Sequence, residues 1–493
     1  MKKISYINSK TALMAFVFGL GLFSCQTDKL NPVPQTTLSD KVVFSSPARI
    51  TQMVEGMYSS VKSGNFLGGR YLIYNDVRAD QFLNRLTNGV TGLQTWNYTL
   101  VESSNEVNTL WNAAYAAINQ CNVFLKGMTD NAASFAPPTF PATYSTTAAQ
   151  YVAEAKFLRA LSYFCLLQLY AKPYVNSIGA DPGLPLRLQA ESNSSNNALA
   201  RSSVAEVYSQ ILSDLDAAET DLPTNYSTDL LNTTRVHANT VISLKTRVKL
   251  AMADYAGVIT EANKIVPVSA PFTAKSGVAN QLQASFTSVF APPQTTKESV
   301  FSLPFTSTDQ PGTQNQLAYY YLPSASGGNG EYTVNGSGIV SNVTSWPLTD
   351  SRRSQITTSG GAQYLAKFPT PSPWTDKAPV MRWSEVLLNL AEARARTNAG
   401  VDAQAVALLN AVHKRSDATT TFAPLTQAEL INNIMTERTI EFLGEGLRSI
   451  DLMRQNATIP AKGSVSAVPS GDPNYVWPIP SGELSTNPLM TRN

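Results

Sequence analysis

The residue types that carry most protein chemistry are sparse in this chain. Two histidines occur in 493 residues, His237 and His413. One stands where a helix starts and the other where a helix ends, with no HExxH, no paired spacing and no cysteine nearby. Neither a zinc centre nor a Ser-His-Asp relay is indicated, and the two read as surface or capping side chains. No GxxxxGK[ST] or GxGxxG phosphate loop is present, and "SGGNGEY" lies outside any strand-to-helix context. A glycosidase needs only two carboxyl groups about 5–10 Å apart. By spacing the best pair is Glu437 and Glu441, one helical turn apart in "ERTIEFLGEGLRSIDLMR". That stretch also holds Arg438, Glu445, Arg448, Asp451 and Arg454. Guanidiniums lower a neighbouring carboxyl pKa, the wrong direction for a general acid. The stretch therefore reads as an ion-pair network locking the last helices together; a carboxylate pair elsewhere stays open, and no cofactor motif is present.

Aromatic residues point elsewhere. The sequence has 20 Tyr and 6 Trp, and several lie in irregular segments rather than on helix faces. A sugar ring can lay its apolar C–H face on an exposed indole or phenol while Asn, Asp, Gln and Arg bond its hydroxyls. Trp96, Asn97 and Tyr98 stand together, not far from Asp76, Arg78 and Asp80; Tyr319, Tyr320, Tyr321 and Tyr332 form a second group. For each of these, packing onto the body competes with ligand contact. Trp111 sits at helical spacing with Leu110 and Tyr115 and belongs to a core, while Trp346, Trp374 and Trp477 lie beside or near prolines and pack.

These candidates must be positioned by helices. Ile50, Met53, Val54, Met57, Tyr58 and Val61 follow amphipathic spacing after Pro47, with Ser46 as N-cap, and predict a helix to about Lys62. The same spacing runs from Val107 to Cys121 and from Tyr151 to Cys165. Ser203 and Glu206 form a capping-box pair before Val204, Val207, Tyr208, Ile211, Leu212 and Leu215. Further helices are predicted over about 238–253, 255–267, 382–397, 402–415 and 427–443. Neighbouring helices joined by short turns give a mainly α fold of stacked helix hairpins, as in tetratricopeptide arrays. Between about 268 and 380 the helical period disappears: "ESVFSLPF" alternates enough for a short strand, and "YYYLPSASGGNGEYTVNGSG" reads as a long loop. A second irregular stretch, "GNFLGGRYLIYNDVRADQFLNRLTNGVTGLQTWNYTL", follows the first helix. Loops this long are often functional, so a site is expected where the two regions meet.

Lys2, Lys3 and Lys10 precede an apolar run from Ala12 to Phe23, the form of a secretory signal and too short to span a bilayer. Leu22, Ser24 and Cys25 resemble a bacterial lipobox, in which the cysteine becomes the lipidated first residue; stable anchoring needs more than one acyl chain. Residues 1–24 are thus expected to be removed, 25–45 to form a polar, proline-bearing tether, and 46–493 to form one body. Lys plus Arg (37) and Asp plus Glu (35) nearly cancel, and no basic stripe is present, which excludes an electrostatic footprint for nucleic acid. With Cys25 lipidated, Cys121 and Cys165 remain; both read as buried free thiols, the alternative being a disulfide, which an exported protein permits.

The sequence resembles the SusD/RagB-like outer-membrane nutrient-binding lipoproteins of Bacteroidota. "YVAEAKFLRALSYFCLLQLYAKPYV" is similar to the family's signature helix, with Glu154, Ala155, Arg159, Ala160, Tyr163 and Phe164 in order. "LPLRL", "RSSVAEVYSQILSDLDAAETDLP", "RWSEVLLNLAEARAR", "ERTIEFLGEGLRSIDLMR" and "VWPIPSGELSTNP" resemble further blocks, placing an N-terminal region at about 46–225 and a C-terminal one at about 285–493. The resemblance implies about four tetratricopeptide-like helix pairs with an irregular ligand-binding face. It also implies a surface-exposed, non-catalytic role at the outer membrane: capture of a glycan, or in some members a peptide, for a SusC-like TonB-dependent transporter. The expected ligand contacts are Trp96, Asn97, Tyr98, Asp76, Arg78, Tyr319, Tyr320 and Tyr321. The competing readings are a surface glycoside hydrolase, a peptide-binding member of the family, and a structural lid whose aromatics face the transporter.

Overall fold

The computed structural model describes residues 40–493; the signal segment, Cys25 and the tether up to residue 39 lie outside the described residues. Helices follow where apolar spacing places them. Pro47–Val61 starts on its proline and buries Ile50, Val54, Met57, Tyr58 and Val61, although Ser46 makes no side-chain cap bond. It packs against Asn105–Asp130 to give a first helix pair, and Tyr144–Tyr170 packs against Val204–Asp221 to give a second. From Ala153 to Tyr170 every residue but one is buried, so this helix is central and enclosed on all sides, its Glu154 and Arg159 paired with Arg235 and Asp214. Ser203 and Glu206 form the expected capping box: the Ser203 Oγ accepts from the Glu206 N–H at 3.2 Å, and a Glu206 carboxylate oxygen accepts from the Ser203 N–H at 2.7 Å. Such a cap contributes about 1 kcal/mol.

The third pair is Ala238–Ala251 with Tyr255–Ala262, and the fourth is Trp383–Thr397 with Ala403–Lys414; Gln427–Glu441 packs on the fourth. The Tyr255 helix ends at Ala262 rather than the expected 267: beyond it the chain tightens into i→i+3 turns, the Lys264 N–H donating to the Glu261 carbonyl at 3.0 Å and the Ile265 N–H to the Ala262 carbonyl at 3.1 Å; Ile265 and Val266 are nonetheless buried. Contacts between consecutive pairs make the array continuous, and one apolar core runs from Phe44 to Met490. Cys121 and Cys165 are buried free thiols, their pKa values pushed up to about 12 by burial.

"ESVFSLPF" forms a fully buried strand, β2 (Ser299–Leu303), antiparallel to β6 (Ala378–Arg382). β1 (Phe82–Asn84) pairs with β3 (Tyr332–Val334), and β4 (Ile356–Ser359) with β5 (Ala362–Leu365). The β4–β5 turn is Gly360–Gly361, both at positive φ, the backbone a tight two-residue hairpin requires. Two short helices, Arg70–Arg78 and Leu317–Tyr321, occupy stretches expected to be irregular. Every residue of Arg70–Arg78 is buried, its polar Arg70, Asn75, Asp76 and Arg78 included, so its polar side does not mark a solvent-facing surface.

Candidate functional site

The two irregular regions meet through β1 and β3, in the register Phe82↔Val334, Leu83↔Thr333, Asn84↔Tyr332. The Arg85 N–H donates to the Glu331 carbonyl at 2.9 Å and the Asn335 N–H to the Gln81 carbonyl at 2.8 Å, extending the seam. Tyrosines fill it. Tyr321 packs its ring 5.0 Å from Phe82 and donates its hydroxyl to Asp76 at 3.1 Å. Tyr320 stacks on Tyr332 at 6.2 Å, and the Tyr332 hydroxyl donates to the Thr91 carbonyl at 2.9 Å.

Four of the expected ligand contacts are therefore interior. Asp76, Arg78, Tyr320 and Tyr321 are each at most 1% exposed and cannot reach a ligand at the surface. Burial pushes the Asp76 carboxyl up to about 8 against bonds from the Gly446 N–H and Tyr321. The Gly446 bond, 2.9 Å long, requires close approach: a Cβ there would stand 2.7 Å from the Leu72 Cα, at a φ of +74°. Arg78 bonds the Tyr475 carbonyl and the Met453 sulfur.

Trp96, Asn97 and Tyr98 remain half-exposed. The Trp96 Nε1 donates to the Phe82 carbonyl at 3.0 Å, and the Tyr98 hydroxyl donates to the Arg78 carbonyl, so both rings are tied to the frame through their polar ends. Tyr98 holds a left-handed backbone, φ 59°, which turns the chain out of the short Leu93–Asn97 helix. Beneath the two rings lies a buried lysine that the sequence did not flag. The Lys462 Nζ donates to the carbonyls of Val77, Arg78 (2.7 Å) and Ala79 (2.9 Å), capping the C-terminal end of Arg70–Arg78, whose last carbonyls have no helical partner. The same ammonium lies 5.8 Å from the Trp96 ring and 5.1 Å from the Tyr98 ring. Asn97 accepts from the Thr99 N–H and hydroxyl through its carbonyl oxygen, leaving its amide NH2 without a protein acceptor among the described residues.

Of the second aromatic group only Tyr319 is half-exposed. Its ring meets Trp374 edge-on at 6.0 Å; Trp374 packs against the core as expected and its partly exposed edge extends this aromatic surface. Trp111, Trp346 and Trp477 are interior as expected.

The carboxylates of the C-terminal block are sealed. Glu437 bonds Arg352 at 2.5 Å and His413 at 2.9 Å; Glu441 meets Arg352 (3.1 Å), Arg382 (2.9 Å) and Arg415 (2.5 Å). Burial alone would raise both pKa values, but the guanidiniums outweigh it and hold both carboxyls below the usual range. Arg438 with Asp451, and Arg454 with Glu392 and Asp451, continue the network expected from the sequence. Both histidines are buried rather than surface groups, and burial lowers the His237 pKa to about 4. Among the described residues no cluster of three or more His, Cys, Asp or Glu is arranged to hold a metal, and no helix is long and apolar enough to cross a membrane.

Comparison with known proteins identifies this architecture. A SusD superfamily protein from Bacteroides fragilis is 32% identical, with a TM-score of 0.80 covering 91% of this chain and 100% of that one. The chain belongs to the SusD family. The SusD family model matches residues 294–493, and a second model, described as starch-binding and associating with the outer membrane, matches residues 28–250. Among SusD-like relatives, protein P25 of Formosa agariphila is 26% identical over 225 residues, 43% of this chain and 38% of that relative's length. The SusD fold is also shared with surface glycan-binding protein A from Bacteroides thetaiotaomicron, a structure in complex with laminarihexaose (17% identity, TM-score 0.69, 91% of this chain and 99% of that one).

Proposed function

We propose that this chain is a non-catalytic glycan-binding lipoprotein of the outer membrane, anchored through Cys25, that captures an oligosaccharide and passes it to a SusC-like TonB-dependent transporter. A sugar ring lies on Trp96 and Tyr98, with Asn97 bonding its hydroxyls; Tyr319 and Trp374 offer a further aromatic surface. The observation that carries the reading is the half-exposed Trp96–Tyr98 pair, fixed by hydrogen bonds at its polar ends and by Lys462 from beneath. A surface ordered before the ligand arrives loses little entropy on binding. Family membership and the shared fold with a protein in complex with laminarihexaose support it. A hydrolase would need two reachable carboxyl groups, one with a raised pKa, whereas Glu437 and Glu441 are sealed by arginine and held ionised.

The test is calorimetric titration of the soluble chain from Gln26 onward with a panel of neutral oligosaccharides, followed by recovery of the bound sugar. Binding with intact recovery is the expected result. Cleaved products would replace this reading with that of an enzyme, and binding of peptides alone would replace the ligand class.

A further inference from the structure

The helix Asn105–Asp130 borders a second concave place, away from Trp96. Near its start Glu106 accepts from the Gln94 and Thr95 N–H groups, which fixes the short Leu93–Asn97 helix against that side. At about 100° and 1.5 Å per residue, Tyr115 stands about 180° around the helix from Glu106 and about 14 Å further along it. There Tyr115 lines an open groove of 300 Å3 with Asn112, Ala116, Asn119, Asn197 and Glu483. The volume is at the lower end of the roughly 300–1,000 Å3 of ligand pockets. One wall is an irregular segment, yet it is fastened at every second residue. The Tyr115 hydroxyl donates to the Pro185 carbonyl at 2.9 Å, and Asn122 donates to the carbonyls of Arg187 (2.9 Å) and Gln189 (3.1 Å). Asn119 exchanges two bonds with the Glu191 backbone, at 2.9 and 2.8 Å. Arg187 in turn bonds the Asn196 and Asn197 carbonyls, both at 3.2 Å, and pairs at 3.1 Å with Glu483 of the short Ser481–Thr486 helix. The walls are thus ordered before any ligand arrives, which lowers the entropy lost on binding.

The groups left over are of one kind. Tyr115 is partly exposed with its hydroxyl already bonded, so it offers its ring, which Trp111 backs at 4.7 Å. Asn112 is exposed and Asn197 partly exposed, and no protein hydrogen bond occupies either side-chain amide among the described residues. An amide both donates and accepts, as a sugar hydroxyl does, while an aromatic ring suits an apolar C–H face. The charged lining residues are Arg187, Glu191 and Glu483; the arginine is paired, so no free guanidinium awaits an anion.

We propose that this groove is a second oligosaccharide site, in which a neutral pyranose lies on Tyr115 while Asn112 and Asn197 bond its hydroxyls. The site is separate from the Trp96–Tyr98 surface, and the proposal rests on the glycan-binding reading above only for the class of ligand. Both places are fixed to one helix, so their separation is constant. Short oligosaccharides fill the two independently. A glycan long enough to reach both is held at two points, the second engaged at the effective concentration that the first sets.

The experiment counts sites. Laminarihexaose, maltohexaose and cellohexaose are titrated calorimetrically into the soluble chain from Gln26 onward, as wild type, Trp96→Ala, Ala116→Arg and the double variant. Ala116 is an exposed helical position, and arginine there extends a long side chain into the groove while favouring the helix. The expected result is two equivalents of at least one of these sugars in wild type, one retained at unchanged affinity in Ala116→Arg, one retained in Trp96→Ala, and none in the double variant. Asn112→Ala, also at an exposed position, weakens the second site alone by about 2- to 10-fold, the share of one neutral hydrogen bond; it decides if thermal unfolding shows Ala116→Arg to be misfolded. One equivalent in wild type that Trp96→Ala removes and Ala116→Arg leaves, or two that Ala116→Arg and Asn112→Ala leave unchanged, overturns the groove and keeps the Trp96–Tyr98 reading. One equivalent that Ala116→Arg removes and Trp96→Ala leaves supports the groove and overturns that reading. Failure of all three sugars overturns both.

Discussion

Substituting Glu441 by Gln tests whether the C-terminal carboxylates hold the fold together. Glu441 is fully buried and receives three guanidiniums: Arg352 at 3.1 Å, Arg382 at 2.9 Å and Arg415 at 2.5 Å. Arg382 and Arg415 also share Glu298, at 2.7 and 2.6 Å, which precedes β2. The cluster therefore fastens the central irregular region to the last helices. Removing one partner of a buried pair leaves uncompensated charge and costs about 3–5 kcal/mol. With an unfolding entropy of about 2.1 cal/mol/K per residue over some 450 residues, roughly 0.95 kcal/mol/K, the melting temperature falls by about 3–5 °C. The pH dependence carries a sign. The folded-state pKa of Glu441 is depressed, so its contribution is complete above the unfolded value near 4.3 and is lost as pH falls through the folded one. The gap between wild type and variant is thus widest at pH 6–7 and narrows below about pH 4. Scanning calorimetry of both proteins from pH 3 to 7 measures it, with Glu102→Gln as control because its pair with Arg492 lies at the surface, where water and salt screen it. A Glu441→Gln melting temperature equal to wild type at pH 7, or a gap that does not change with pH, refutes the reasoning.

Other outcomes follow from the same geometry. Trp96→Ala weakens oligosaccharide binding by about 1–3 kcal/mol with the fold intact, as a central aromatic contact does; unchanged affinity removes Trp96 from the site. Tyr320→Phe, whose hydroxyl donates to the Gln314 carbonyl inside the seam, leaves affinity unchanged and lowers stability by about 1 kcal/mol; a loss of affinity would contradict its interior position. Lys462→Met strips three carbonyls of their donor, lowering stability by about 2 kcal/mol or more. It also loosens the Trp96 and Tyr98 rings, so affinity falls with it, and a variant with native affinity would show that the lysine does not position them. In the chain from Gln26 onward, Cys121 and Cys165 stay unreactive to a thiol reagent until denaturant is added, then both react.

The helix pairs were legible because each buries one stripe against a neighbour, and the capping box at Ser203–Glu206 was legible because its two residue types are diagnostic. The arginine–carboxylate network was readable from composition within a single helical block. The Arg70–Arg78 helix was not: it is only nine residues long, and its buried polar residues, Arg70, Asn75, Asp76 and Arg78, imitate a surface loop. The same imitation misplaced Asp76, Arg78, Tyr320 and Tyr321 at the ligand face: tyrosines in a loop-like composition turned out to cement the seam between two distant segments. Lys462 carried no signal, because "PAKGSVSAVPSGDP" reads as an ordinary polar loop and only tertiary contact reveals three carbonyls converging on its ammonium. That the two irregular regions meet was expected from their length and is realised by β1 and β3.

The central claim is that the Trp96–Tyr98 surface binds an oligosaccharide without cleaving it. Titration of the soluble chain with a glycan panel, in parallel with Trp96→Ala and with chromatography of the recovered sugar, tests it most directly. The account predicts saturable binding of at least one glycan, weakened in the variant, with the sugar returned intact; cleavage of the bound sugar, or binding indifferent to Trp96, would contradict it.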